Sequence, residues 1–149
     1  MRKLHAGIVL AAAVLLFGCA ASGPKLAEMQ SSMPALKQNQ GRIYFYRTSS
    51  MMGAAIQPSV LLNGQAVGES KPGGFFFVDT APGSQEVSTS TEVEKKLTFK
   101  LEPGQTRYVR TSISFGVLAG RVQPELVDNG TGDKELRETS YIGKPVGQR

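Results

Sequence analysis

From residue 41 onward this chain of 149 residues is a succession of short β-forming runs broken by turn signals. Breaks recur roughly every 8–12 residues, a rhythm that points to an antiparallel β-sandwich. Residues 42–47 (Arg-Ile-Tyr-Phe-Tyr-Arg) carry apolar groups of both parities, so they read as a central strand covered on both faces. Residues 60–62 and 65–67 flank Asn63-Gly64, the dipeptide favoured in a type I′ hairpin because both central residues need positive φ. Pro72-Gly73-Gly74 breaks the chain before a strand at 75–78, and 81–84 (Ala-Pro-Gly-Ser) turns it back into 86–91. Residues 96–101 alternate cleanly, with Leu97, Phe99 and Leu101 on one side and Thr98 and Lys100 on the other. After a turn at 102–105, Val109, Thr111, Ile113 and Phe115 face inward while Tyr108, Arg110, Ser112 and Ser114 face out. A bend at 116–120 leads to a last strand at 121–127, which Pro124 confines to a sheet edge. Residues 133–138 are the one convincing helical stretch of the body, with Leu136 nearly its sole apolar anchor. The expectation is an all-β domain over 41–142, an antiparallel sandwich of about seven strands with a short C-terminal helix, followed by a loose tail at 143–149.

Two segments of different character precede this domain. Arg2 and Lys3 lead into an apolar run over 7–17 that closes as Leu16-Phe17-Gly18-Cys19, with a small residue just ahead of the only cysteine. The run fits the roughly 7–15 residues of a signal-peptide core and falls short of the ~20 that span a bilayer. It resembles the lipobox of bacterial lipoprotein signal peptides at Leu16, Gly18 and Cys19. The resemblance implies a signal peptide at 1–18, cleavage between Gly18 and Cys19, a diacylglyceryl thioether on Cys19 and acylation of the new α-amine. At about 0.8 kcal/mol per buried CH₂, two or three chains make release from a membrane very slow. Ala20 stands where many Gram-negative lipoproteins carry an aspartate for inner-membrane retention. The resemblance therefore implies the outer membrane, facing the periplasm. The resemblance makes residues 19–40 the expected lipidated tether. In it Leu26, Met29, Met33 and Leu36 make a weak helical stripe broken by Pro34. A short helix docked on the body or a flexible leash fits that pattern, and a partner-binding peptide is the sharper alternative.

Composition excludes more than it assigns. Taking 18 residues from 149 leaves 131, enough for one domain, and removing Arg2 and Lys3 lowers the net charge from +5 to +3. That excess is too small to argue for nucleic acid. The single histidine, His5, leaves with the leader, so the processed chain has no imidazole. Ser-His-Asp and Cys-His catalysis, His/Cys zinc sites and internal disulfides are thereby excluded. Neither GxxxxGK[ST] nor GxGxxG occurs. No cofactor or metal is expected, and the chain is not expected to be an enzyme.

Residues 42–47, 60–68 (Val-Leu-Leu-Asn-Gly-Gln-Ala-Val-Gly), 74–77 (Gly-Phe-Phe-Phe), Pro82-Gly83 and 102–105 follow the order seen in one domain-of-unknown-function family of small bacterial lipoproteins. From about Gly41 to Val127 the chain resembles its members. The Leu-Asn-Gly-x-x-Val-Gly hairpin followed by Pro-Gly-x-x-x-Val is also similar to PEGA-type surface domains. That likeness implies a small β-sandwich serving as an interaction or spacer module. Neither resemblance supplies an activity.

Tyr44, Tyr46, Arg47 and Phe76 are the candidate binding surface. Tyr44 and Tyr46, flanked by Arg42 and Arg47, make an aromatic platform for glycan rings if exposed, and plain core if covered. A strand through Phe75-Phe76-Phe77 turns at least one ring outward, either to solvent or beneath another segment. Glu92, Glu94, Lys95 and Lys96 read as a solvated hairpin end, and Asp79, Asp128 and Asp133 do not fit a Ca²⁺ loop of about 12 residues. Residues 114–120 are apolar and Gly-rich, suited to touching a membrane surface or simply to ending a strand in a bend. The expected function is a membrane-anchored, non-catalytic binding or structural module of the cell envelope with a protein or polymer partner. The alternatives are a peptidoglycan- or glycan-binding module and a small hydrolase with two carboxylates roughly 5–10 Å apart in a cleft.

Overall fold

A computed structural model describes residues 20–115 and 120–146; the leader 1–18, Cys19, residues 116–119 and 147–149 lie outside the described residues. In chain order the elements are α1 (Leu26–Met29), β1 (Gly41–Tyr46), β2 (Ser59–Leu62), β3 (Gln65–Glu69), β4 (Gly74–Thr80) and β5 (Gly83–Thr89). They continue with β6 (Glu92–Leu101), β7 (Thr106–Phe115), β8 (Gly120–Val127), α2 (Asn129–Arg137) and β9 (Ser140–Tyr141). The strands form a five-stranded sheet, β8-β7-β1-β4-β9, and a four-stranded sheet, β3-β2-β5-β6.

The all-β sandwich is as expected, with nine strands among the described residues where about seven were anticipated. Two neighbouring pairs run parallel, which local turn signals do not reveal. β1 pairs antiparallel with β4 and parallel with β7, and β4 pairs parallel with β9. The reason is the route of the chain. After β4 it crosses to the second sheet for β5 and β6, then returns through the turn at 102–105, so β7 comes back in the direction of β1. The Asn63-Gly64 hairpin holds, with φ of 50° and 80°. β8 is the edge strand that Pro124 requires.

Alternation sorts the side chains of β1 and β4 into two layers. Ile43, Phe45, Phe76 and Val109 meet Val60, Leu62, Val87, Phe99 and Leu101 of the opposing sheet in the inter-sheet core. Tyr44, Tyr46, Phe75, Phe77 and Tyr108 face the other way and pack beneath Leu26 and Met29 of α1 and Leu136 of α2. Of the three consecutive phenylalanines, Phe76 enters the inter-sheet core and the other two lie under this outer cover.

α2 begins four residues before the stretch with helical composition. The Asp128 side chain accepts from the Thr131 amide at 3.0 Å and caps the first turn. Gly132 is buried in this helix because its Cα rests on Tyr108, where an added Cβ would lie 2.3 Å from Cγ of the ring. In an exposed helix, Gly→Ala gains up to about 1 kcal/mol. Here the sign reverses, and Gly132→Ala is expected to destabilise the fold by roughly 1–3 kcal/mol through overpacking. Urea unfolding of the two proteins under matched conditions checks this; a stabilised variant would contradict the tight α2–β7 contact.

Candidate functional site

The candidate surface residues are core. Tyr44 is 8% exposed and Tyr46 2%, since the outer face of their sheet is covered by α1 and α2. Tyr44 stacks on Tyr108 at 5.5 Å between centroids, and its hydroxyl donates to Met33 Sδ at 4.0 Å. Phe76 stacks on Phe45 at 5.1 Å inside the sandwich. Arg47 is buried as well, its guanidinium donating to the carbonyls of Ile56 at 2.7 Å, Gly53 at 2.9 Å and Ser70 at 3.3 Å. Burial pushes its pKa down. Of the two readings of Tyr44 and Tyr46, plain core is the one observed and the exposed glycan platform is not: both rings fill a layer that the N-terminal segment and α2 close.

That N-terminal segment is docked, not a leash. The Ala21 amide donates to the Pro72 carbonyl at 3.3 Å, the Tyr141 amide donates to the Pro24 carbonyl at 2.8 Å, and Lys25 Nζ donates to the Glu138 carbonyl at 2.8 Å. Leu26 and Met29 are buried, and Met33 packs beside them, so three of the four stripe residues cover the aromatic layer. The tail is similarly engaged as far as described: the Tyr141 hydroxyl donates to the Lys144 carbonyl at 2.8 Å, and Val146 packs on the outer cluster.

A groove of ≈ 380 Å³ runs between this segment, β1, β7 and α2, lined among others by Met33, Leu36, Arg42, Tyr44, Asp133 and Arg137. Its charges are already matched. Arg42 forks onto Asp79 through Nε at 2.6 Å and Nη2 at 2.8 Å, and also donates to the Pro34 carbonyl at 2.8 Å. The hydrogen bond to Asp79 holds the Arg42 pKa above its ordinary value despite burial. Arg137 pairs with Asp133 at 3.0 Å.

Deeper under α2 lies a network that the sequence did not reveal. Arg110 reaches Glu125 and Glu135, each at 2.7 Å, and the Tyr46 hydroxyl donates to Glu135 at 2.6 Å. Burial, and then the bond to Glu135, raises the Tyr46 phenol; the bond to Glu125 raises Arg110 further. A raised phenol and a firmly protonated guanidinium supply neither nucleophile nor base at neutral pH. What they do is lock α2 to the sheet. Arg110 was legible as an outward strand residue, but its partners were not, because nothing local says that α2 folds back over β7.

The three aspartates of the body have separate tasks besides. Asp79 holds Arg42, Asp128 caps α2 and Asp133 pairs with Arg137. Among the described residues no group of His, Cys, Asp and Glu is placed to hold a metal ion. In the expected charge cluster at β6, Lys96 pairs with Glu86 in solvent at 2.8 Å, while Glu92 is buried. Burial alone would push the Glu92 carboxyl up, but the Lys95 amide and Arg121 hold it below the usual carboxylate range.

Comparison with known proteins gives a family and adds no activity. A family model described as a protein of unknown function (DUF2846) matches residues 37–123. An uncharacterized protein of Haemophilus influenzae is 30% identical over 143 residues, covering 91% of this chain and 83% of its own length. No solved structure shows a significant match.

Burial raises the phenols of Tyr44, Tyr46 and Tyr108 above their unfolded values. Their contribution to stability is therefore whole below about pH 10 and is lost as the pH climbs through and beyond that value. Urea midpoints are expected to fall above that pH, and less steeply in Tyr46→Phe than in the parent protein. Parallel profiles for the two would contradict a buried, bonded Tyr46.

Proposed function

The chain belongs to the DUF2846 family of proteins of unknown function, and on that footing we propose a lipid-anchored envelope protein that works by contact and not by catalysis. In this reading the leader is removed after Gly18, Cys19 carries the acyl chains, and the β-sandwich faces the periplasm from the outer membrane. One observation carries it: the only cysteine closes an apolar leader and stands two residues before Ala21, whose amide is bonded to the body. An acyl group at that position anchors a folded domain without passing through a disordered linker.

The side-chain chemistry supports the non-catalytic half. Several ionisable groups are committed to the fold: Tyr46, Arg110, Glu125 and Glu135 in one network, Arg42 and Asp79 in another, Arg47 to three carbonyls. Such pairs contribute to holding the outer cover in place, and breaking one leaves a partly buried charge uncompensated. The partner in this reading is an envelope protein or polymer that meets the outside of the domain.

In cells given an alkyne-tagged palmitate analogue, the native protein is expected to carry label and sediment with outer membranes. Cys19→Ala is expected to carry none and to keep its leader. Label persisting on Cys19→Ala, or native protein recovered with a free thiol, would contradict the anchor.

A further inference from the structure

We infer that the end of the sandwich where the N-terminus enters is a membrane-contact rim, on which Met51, Met52 and Phe115 sit in the interfacial layer of the bilayer that holds the anchor. The inference rests on the anchoring reading above and adds to it an orientation and a second, non-covalent contact. The first backbone bond to the body among the described residues runs from the Ala21 amide to the Pro72 carbonyl. Only Ala20 lies between Ala21 and Cys19, and two extended residue steps span only about 7 Å. A domain tied that closely to an acylated cysteine cannot stand off from the lipid; one of its ends lies against it.

Register and packing say which end. Tyr46 pairs with Phe75 on one side and with Arg110 on the other, so the end of β1 and the start of β4 lie beside the middle of β7, whose last five residues run on past them in the direction of β1. Pro72 belongs to this end, and its neighbour Gly73 abuts the Ser49 hydroxyl at the start of the loop that carries Met51 and Met52. In the same loop Gly53 abuts Ile113 of β7 and Ile56 abuts Gly120 of β8, beside Phe115. Met51 is 93% exposed, Met52 64% and Phe115 60%; they are the large exposed hydrophobic residues among the described residues, and all three are on this rim.

Isolated exposed apolar side chains call for no explanation, but a group gathered where the lipidated residue enters does. Phe115 was expected to face inward by strand alternation; at the last position of β7 it is exposed instead. The loop is also held in place from within. Arg47 binds the carbonyls of Gly53 and Ile56, so Met51 and Met52 project from a fixed base. Methionine is flexible and polarizable, which suits it to an irregular acyl surface. Interfacial apolar groups settle about 5–10 Å into the headgroup boundary, a depth compatible with the short reach from Cys19. The opposite end, with the Asn63-Gly64 hairpin and the turn at 102–105, would point away from the membrane.

The test uses the full acylated protein in vesicles of phosphatidylethanolamine and phosphatidylglycerol, with single cysteines placed at Met51, Met52 or Phe115, and at Glu102 as control. Acylation of Cys19 leaves the introduced thiol as the only one to label with an environment-sensitive fluorophore. The proposal expects a blue shift and several-fold quenching by brominated lipids at the three rim positions, and iodide quenching alone at Glu102→Cys. Rim labels quenched only by iodide, with Cys19 acylated, would overturn the rim and leave the anchor standing. Rim labels shielded from both quenchers would overturn it in favour of a protein contact. Absence of acyl groups on Cys19 would overturn anchor and rim together.

Discussion

Five aromatic rings on the outer face of the central sheet have to be covered. Tyr44, Tyr46, Phe75, Phe77 and Tyr108 project from three adjacent strands, away from the sandwich interior. Aromatic side chains of this kind each bury roughly 150–250 Å² and dominate the energetics of the layer they fill. Leaving such a surface open to water would cost the fold much of what the inter-sheet core gains. Two otherwise weak segments answer the need: a four-residue helix in the N-terminal segment, and a glycine-containing helix with one buried leucine. Neither has the length or composition to persist alone. Each is helical because it packs on the rings, and the result is a sandwich with a third layer.

The charged residues follow from that cover. Bringing α2 over β7 places Glu135 against Arg110 and Tyr46, and bringing residues 33–36 over β1 places the Pro34 carbonyl against Arg42. Each guanidinium in the layer finds a carboxylate or a carbonyl, as buried cations must. Arg47 extends the same logic to the rim, where three carbonyls satisfy it and fix the loop that presents Met51 and Met52. One physical requirement thus connects the aromatic layer, the docked N-terminal segment and the loop that carries Met51 and Met52.

Much of this was legible in the sequence, and the parts that were not share a cause. The Asn63-Gly64 hairpin, the doubly covered β1 and the edge position of Pro124 are local statements, made by a dipeptide, a run of six residues and one missing amide. The parallel β1–β7 pair depends on a chain path of some sixty residues between them and has no local sign. Strand periodicity placed Tyr44 and Tyr46 on one face but could not say what lay over it. The stripe of Leu26, Met29 and Met33 was visible, yet its four-residue helix falls far below the length at which composition alone decides. The Asp128 cap was readable in principle, but Gly130 and Gly132 argue against a helix until Tyr108 is seen to need the space above it.

The docking of the N-terminal segment is tested most directly by hydrogen exchange in the folded protein. The Ser32 and Met33 amides donate to the Met29 carbonyl, and the Tyr141 amide donates to the Pro24 carbonyl. Slow exchange at all three, approaching that of β1, is the expected result. Exchange at the rate of an unstructured peptide, with β1 still protected, would mean that the aromatic layer is closed some other way and that the body hangs from a leash.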